Sequence, residues 1–232
     1  MDNTERTKRY FEKNFKRLRL KKETGQKILA EATYRALRGR LSGRVLDIGG
    51  GGRSDYPLEK IDRIVSLDLS VEPLRKPEEA GRVELILGDA RNLGLAGSSF
   101  NSVLFIHSIH HLAGDNLRQT RQNFERCFGE SFRVLKNPGR IFIVDAVFPE
   151  SIQALENLFF NISSAFLSLM QKPMVYFPSL PDLTGMLRKA GFKEISHRRL
   201  DTGDAVLSPF TLPIGISFKY TPLFHVLIEG VK

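Results

Sequence analysis

At 232 residues the chain is long enough for one well-cored domain. Cys127 is its only cysteine, which excludes an internal disulfide and points to a reducing, cytoplasmic compartment. The formal net charge of +9 lies wholly in residues 1–44, where 14 Lys/Arg face 5 Asp/Glu, while the remaining residues hold 21 of each.

The N-terminus is charged and lacks an apolar core, so no signal peptide is expected. Helices are expected over 4–22 and 24–41. Tyr10, Phe11, Phe15 and Leu18 fall at helical spacing, surrounded by Lys13, Lys16, Arg17, Arg19, Lys21 and Lys22. Two readings stand for this basic segment (1–42). It is either a solvated helix packed over a ligand site or an arm for an anionic partner: RNA, an acidic lipid surface or a negatively charged substrate.

Next comes Val45-Leu46-Asp47-Ile48-Gly49-Gly50-Gly51-Gly52, with Asp68 nineteen residues beyond Gly49. An apolar strand (44–49), a glycine turn and a second strand (63–68) ending in an acid open a nucleotide-binding βαβ unit. The glycines admit a ligand where a Cβ would collide, and the acid suits two ribose hydroxyls. Asp47 lies two residues before the first glycine, and Ser54 stands where a dinucleotide fingerprint has its third glycine. A carboxylate there repels a pyrophosphate, so the pattern favours a ligand with a ribose and a cationic end over a nicotinamide dinucleotide.

A third strand (83–88) runs into Gly88-Asp89-Ala90, and a fourth (102–107) ends at His107, with His110 and His111 in the turn that follows. A helix over 115–135, a strand over 140–146 and a helix over 150–170 come next. Ile152–Met170 is the most apolar stretch, but Glu156, Asn157 and Asn161 within it argue against a membrane span. A helix over 179–191 stops at Gly191, and strands over 192–200 and 223–231 close the chain. The connector 201–222 holds Pro209, Pro213 and Pro222 and is long enough to form an edge or a lid. This alternation predicts an α/β, Rossmann-like doubly wound, mostly parallel seven-stranded sheet with helices on both faces. Ligands of such sheets bind beyond the strand carboxyl ends, which here collect Asp47, Gly49, Asp68, Asp89 and His107.

The glycine motif, Gly88-Asp89-Ala90, the run from Ser98 to Leu112 through His107-Ser108-Ile109-His110-His111, and Phe132-Arg133-Val134-Leu135-Lys136-Asn137-Pro138-Gly139-Arg140 occur in one order. This order resembles the class I S-adenosylmethionine (SAM)-dependent methyltransferases, especially the branch that includes quinone and other small-molecule enzymes. The resemblance runs from about Gly43 to Asp145, with a weaker echo in 187–192. It implies a basic N-terminal helical segment (1–42) followed by a methyltransferase domain (43–232), in which 150–180 covers the acceptor. It implies SAM as cofactor, with Asp47, Gly49, Gly50 and Gly51 at its methionine part, Asp68 on the ribose, Leu69 against the adenine, Asp89 and Ala90 at the adenine edge, and His107 beside it. Asp68 and Asp89 alternatively cap the turns that follow them. Arg53 departs from the family, many members of which have a glycine there.

His107, His110 and His111 are the candidate proton acceptors, needed only where the acceptor's own proton must leave. No carboxylate or cysteine joins them at ligand spacing, so no metal is expected. Phe105-Ile106-His107-Ser108 replaces the Asn/Asp-Pro-Pro-Tyr/Phe of enzymes that methylate adenine or a glutamine amide, and disfavours that chemistry. Phe159, Phe160, Phe166, Tyr176 and Phe177 point to an apolar acceptor, such as a quinone-like, lipid-like or secondary-metabolite ring. Two other readings remain open: a tRNA or RNA methyltransferase using the basic segment, and a non-catalytic SAM-binding regulatory protein.

Overall fold

The computed structural model describes residues 1–25, 27–51, 56–74, 82–201 and 223–232, with backbone alone at 15–25, 27, 73 and 74. Gly52, Arg53, Ser54 and the expected edge or lid at 202–222 therefore lie outside the described residues, as do the side chains of Phe15, Leu18 and the basic residues 16–22.

Two N-terminal helices, α1 (Asn3–Gly25) and α2 (Lys27–Leu37), lead into β1 (Gly43–Ile48) and β2 (Ile61–Asp68). A short α3 (Val71–Leu74), β3 (Val83–Leu87) and β4 (Phe100–Ile106) follow, then a 3-10 turn at Ile109–Leu112 and α4 (Leu117–Val134). The chain finishes with β5 (Leu135–Val147), α5 (Glu150–Leu169), α6 (Leu180–Lys189), β6 (Lys193–Arg199) and β7 (Phe224–Val231). The seven strands form one sheet in the order β3-β2-β1-β4-β5-β7-β6, parallel except for β7, which runs against both β5 and β6.

Central strands that are apolar at every position have to be covered on both faces. Along β4, Val103 and Phe105 join one core with Phe124 and Phe128 of α4 and Leu183 and Leu187 of α6. Leu104 points the other way, into a second core with Ala32, Ala36 and Leu37 of α2. Strand β5 repeats the alternation: Ile141 and Ile143 face the first core, Phe142 and Val144 the second. Helix α4 starts where the Asn116 side chain accepts the Gln119 N–H at 2.9 Å. It buries Phe124, Cys127, Phe128, Ser131 and Val134 at helical spacing. Burial drives the Cys127 thiol far above its usual range, so it packs as a small apolar residue.

The strand order reverses between β1 and β4, whose carboxyl ends carry Asp47 and the glycine run on one side and His107 on the other. This is where a parallel sheet opens a crevice for a ligand.

Candidate functional site

The glycine run leaves β1 tightly. Gly49 (φ +79°) and Gly51 (φ +62°) take left-handed conformations. The turn is pinned on both sides: the Gly49 N–H donates to Leu67 O at 2.7 Å, and Ser108 Oγ donates to Ile48 O at 2.8 Å. A Cβ on Gly49 would lie 2.6 Å from the Cβ of Ser108, and one on Gly50 would lie 2.1 Å from Oδ2 of Asp47. Asp47 is 1% exposed and accepts the Tyr56 hydroxyl at 3.0 Å, so its carboxylate is held beneath the bare backbone. Ser108 and Asp47 thus leave no room for a side chain at either glycine.

Asp68 stands at the end of β2, the neighbouring strand. Its carboxyl accepts the Ser70 N–H at 2.8 Å and is also bonded by the backbone of Gly51 and Leu69. Burial outweighs these bonds and raises its pKa to about 6. The group therefore caps its own turn and ties β2 to the glycine run. Leu69 beside it is half-buried. Asp89 is more committed. Its two oxygens take three bonds from the Arg91 guanidinium at 2.6–3.1 Å, and Oδ1 also accepts the Arg91 N–H at 2.9 Å. Its carboxylate is therefore already engaged by Arg91. Ala90 is half-buried against the first core.

Three candidate histidines cluster beyond β4, in distinct surroundings. His107 has φ +52°, donates its N–H to Val144 O at 2.8 Å, and packs its ring edge-on against His225 at 5.5 Å. His111 presses against Phe11 of α1 at 4.9 Å, and burial, then its neighbour His110, lower its pKa well below the usual value. It is therefore neutral near pH 7.

His110 alone is paired with a carboxylate: its Nδ1 lies 2.9 Å and 3.0 Å from the oxygens of Asp145. Asp145 lies inside the apolar run of β5, between Val144 and Ala146, and is 1% exposed. It accepts the N–H groups of Ile109 at 3.1 Å and Ala146 at 2.8 Å. The charge and hydrogen bond of His110, with the charge of His107, overcome the cost of burial and hold its pKa at about 2. An ionised carboxylate can only accept, so the Nδ1 facing Asp145 carries a proton, and in the uncharged ring Nε2 is the basic nitrogen. Sequence reasoning missed Asp145 and His225. The available signal was a lone acid inside the apolar run from Ile141 to Val147.

Aromatic and apolar groups wall this pair. Phe177 stacks on His110 at 4.9 Å, with Phe148 edge-on to Phe177 at 5.7 Å. The Tyr176 N–H donates to His110 O at 3.0 Å and fixes the segment above the turn. Helix α1 closes the rim. Asn3 is buried and donates to Ala113 O at 2.6 Å and Met174 O at 3.0 Å, while accepting the Met174 N–H at 2.7 Å. Arg6 is also buried and pairs with Asp115 at 2.8 Å.

Glu156 on α5 adds a second unusual carboxyl. It is bonded by the Phe177 backbone, its Oε2 has no hydrogen-bond partner among the described residues, and burial raises its pKa to about 8. A carboxyl raised above its unfolded value of 4.5 binds a proton in the fold that the unfolded chain has released. Stability therefore falls as pH rises from about 4.5 to about 8 and levels off above that. Glu156→Gln is expected to flatten this dependence and raise the melting temperature at alkaline pH, as read by thermal melts across that range. Among the described residues, no group of three His, Cys, Asp or Glu side chains is arranged to hold a metal ion.

Residues 46–143 match the family model of a methyltransferase domain. A protein of Encephalitozoon cuniculi named as a methyltransferase is 35% identical over 100 residues, spanning 43% of this chain and 43% of that protein. The match thus covers less than half of that relative's length. A chain in the complex of the Trm112 methyltransferase activator with a methyltransferase of Haloferax volcanii superposes with a TM-score of 0.67 at 15% identity, covering 97% of this chain and 96% of that one. The 1,6-didemethyltoxoflavin-N1-methyltransferase of Burkholderia thailandensis, solved with its substrate and S-adenosylhomocysteine, gives 0.58 at 18% identity, with 98% and 87% covered. At these identities the two structures share the fold.

Proposed function

We propose that this chain, whose residues 46–143 match a methyltransferase domain, transfers the methyl group of SAM to a small, partly apolar acceptor bearing a removable proton. A phenol or hydroquinone hydroxyl is the type. The observation that carries this reading is the His110–Asp145 pair set among Phe11, Phe148 and Phe177. When bound, SAM supplies a methyl group on a positively charged sulfur, a leaving group that makes alignment much of the catalysis.

The chain's own residues account for the rest. The Gly49–Gly51 backbone and Asp47 hold the methionine end, and Asp68 accepts from the ribose hydroxyls. Leu69 and Ala90 border the adenine, whose amine shares Asp89 with Arg91. The acceptor hydroxyl gives its proton to Nε2 of His110, and the resulting imidazolium is stabilised by the buried negative charge of Asp145. His111, neutral and packed on Phe11, shapes the wall rather than moving the proton. Asn3 and Arg6 anchor α1 across the rim and keep water from the developing oxyanion.

Incubating the full chain with methyl-labelled SAM and a panel of acceptors tests this. Label is expected on apolar phenols or hydroquinones. Label found only on highly polar metabolites, or only on tRNA, would overturn it.

A further inference from the structure

Helix α5 is amphipathic in an inverted sense. Its buried positions include the polar Gln153 and Ser164 beside Phe160. Its outward face is a continuous stripe of Leu155, Leu158, Phe159, Ile162, Phe166 and Leu169, spaced at one helical period. Leu158 is 72%, Ile162 69% and Leu169 85% exposed. Isolated exposed apolar side chains are ordinary, but six in register along one helix form a surface that water does not favour. No Lys, Arg or Asp occurs in the helix, and of its two acids only Glu150, at the first residue, is exposed.

The start of α1 adjoins this stripe. Arg6 of α1 donates to Ser168 Oγ at 3.0 Å, next to Leu169. The following turn of α1 presents Arg9, 66% exposed and paired with Glu5 at 2.9 Å, and Lys13, also exposed. Lys172 is exposed just beyond the end of α5.

We propose that the outward face of α5, flanked by the exposed Arg9, Lys13 and Lys172, seats this protein on an anionic lipid surface. An apolar stripe bordered by cations is what an interfacial helix needs: side chains enter the acyl boundary while Lys and Arg meet the headgroups. The contact lies in the plane of the membrane, since among the described residues no helix is long and apolar enough to cross one. The assignment does not depend on which acceptor is methylated.

Flotation of the full-length protein with vesicles tests it, comparing pure phosphatidylcholine with phosphatidylcholine containing about 30 mol% phosphatidylglycerol. The wild type is expected to float with the anionic vesicles and to be released by high salt. Leu158→Glu/Ile162→Glu should lower the partition coefficient at least about tenfold, and Arg9→Glu/Lys13→Glu several-fold. Both altered pairs are exposed, so circular dichroism and the melting temperature should be unchanged. Absence of partitioning would overturn the proposal. So would binding that the α5 variant leaves intact, or a solution dimer of the wild type that the α5 variant converts to monomer.

Discussion

His110→Ala is expected to slow methyl transfer to a hydroxyl acceptor by about 10²–10⁴-fold, the usual contribution of a positioned general base. The affinity for SAM should stay within a few-fold, because the cofactor cradle is built on β1 and β2 and the pair sits on the turn after β4 and the end of β5. Asp145→Asn should cost nearly as much. An amide can offer the imidazole its N–H₂ group, which would favour the opposite tautomer and place the proton on Nε2, where it blocks the base. Asp145 also accepts the N–H groups of Ile109 and Ala146, so this variant should be less stable than His110→Ala. Single-turnover rates with preloaded labelled SAM, read beside melting temperatures, separate the two effects. A His110→Ala enzyme with an unchanged rate would remove the pair from the chemistry and leave alignment alone as the catalytic device.

Asp68→Ala should abolish measurable cofactor binding in the micromolar range. Hydrogen bonds to a charged group contribute about 1.5–3 kcal/mol each, so losing two ribose contacts weakens affinity by roughly two to four powers of ten. The pH dependence has a definite sign. The Asp68 carboxyl titrates at about 6, and only its ionised form offers both acceptors. Wild-type affinity should therefore fall by about tenfold per unit as pH drops below 6, and the Asp68→Ala protein should lack that slope. The same raised pKa means that the charge opposes folding of the empty protein above its unfolded value of 3.8. Asp68→Asn should accordingly raise the melting temperature near neutral pH while losing affinity, a trade expected of a group kept for binding. Calorimetric titration over pH 5–8 reads both trends.

Much of the fold was legible because its signals are local. Val45, Leu46, Val103, Leu104, Ile143 and Val144 are apolar at consecutive positions, and only strands covered on both faces accept such runs. Boundaries were less so. Strand β5 begins at Leu135, directly after α4, although Lys136, Asn137, Pro138 and Gly139 read as a break. Helix α2 ends at Leu37, short of the expected 41, because Gly39 (φ +73°) turns the chain toward β1. The short α3 and the 3-10 turn carry too few residues to show a period.

The site divides in the same way. Asp47, Gly49, Asp68 and His107 stand at fixed places along a recognisable motif. The Asp145–His110 pair joins residues 35 apart, and His225 arrives only because antiparallel β7 sets it opposite Ala146. Neither relation has a spacing to read. The outward stripe of α5 shows a related limit: helical period reveals that a helix has an apolar face, not whether that face turns toward the core.

The most direct test of the account is calorimetry of the full-length wild-type protein with SAM and S-adenosylhomocysteine, with NAD as competitor. Micromolar one-to-one binding of both SAM and its demethylated product, undisturbed by NAD, is predicted. Well-folded protein that binds neither, or that binds NAD at the glycine run instead, would contradict it.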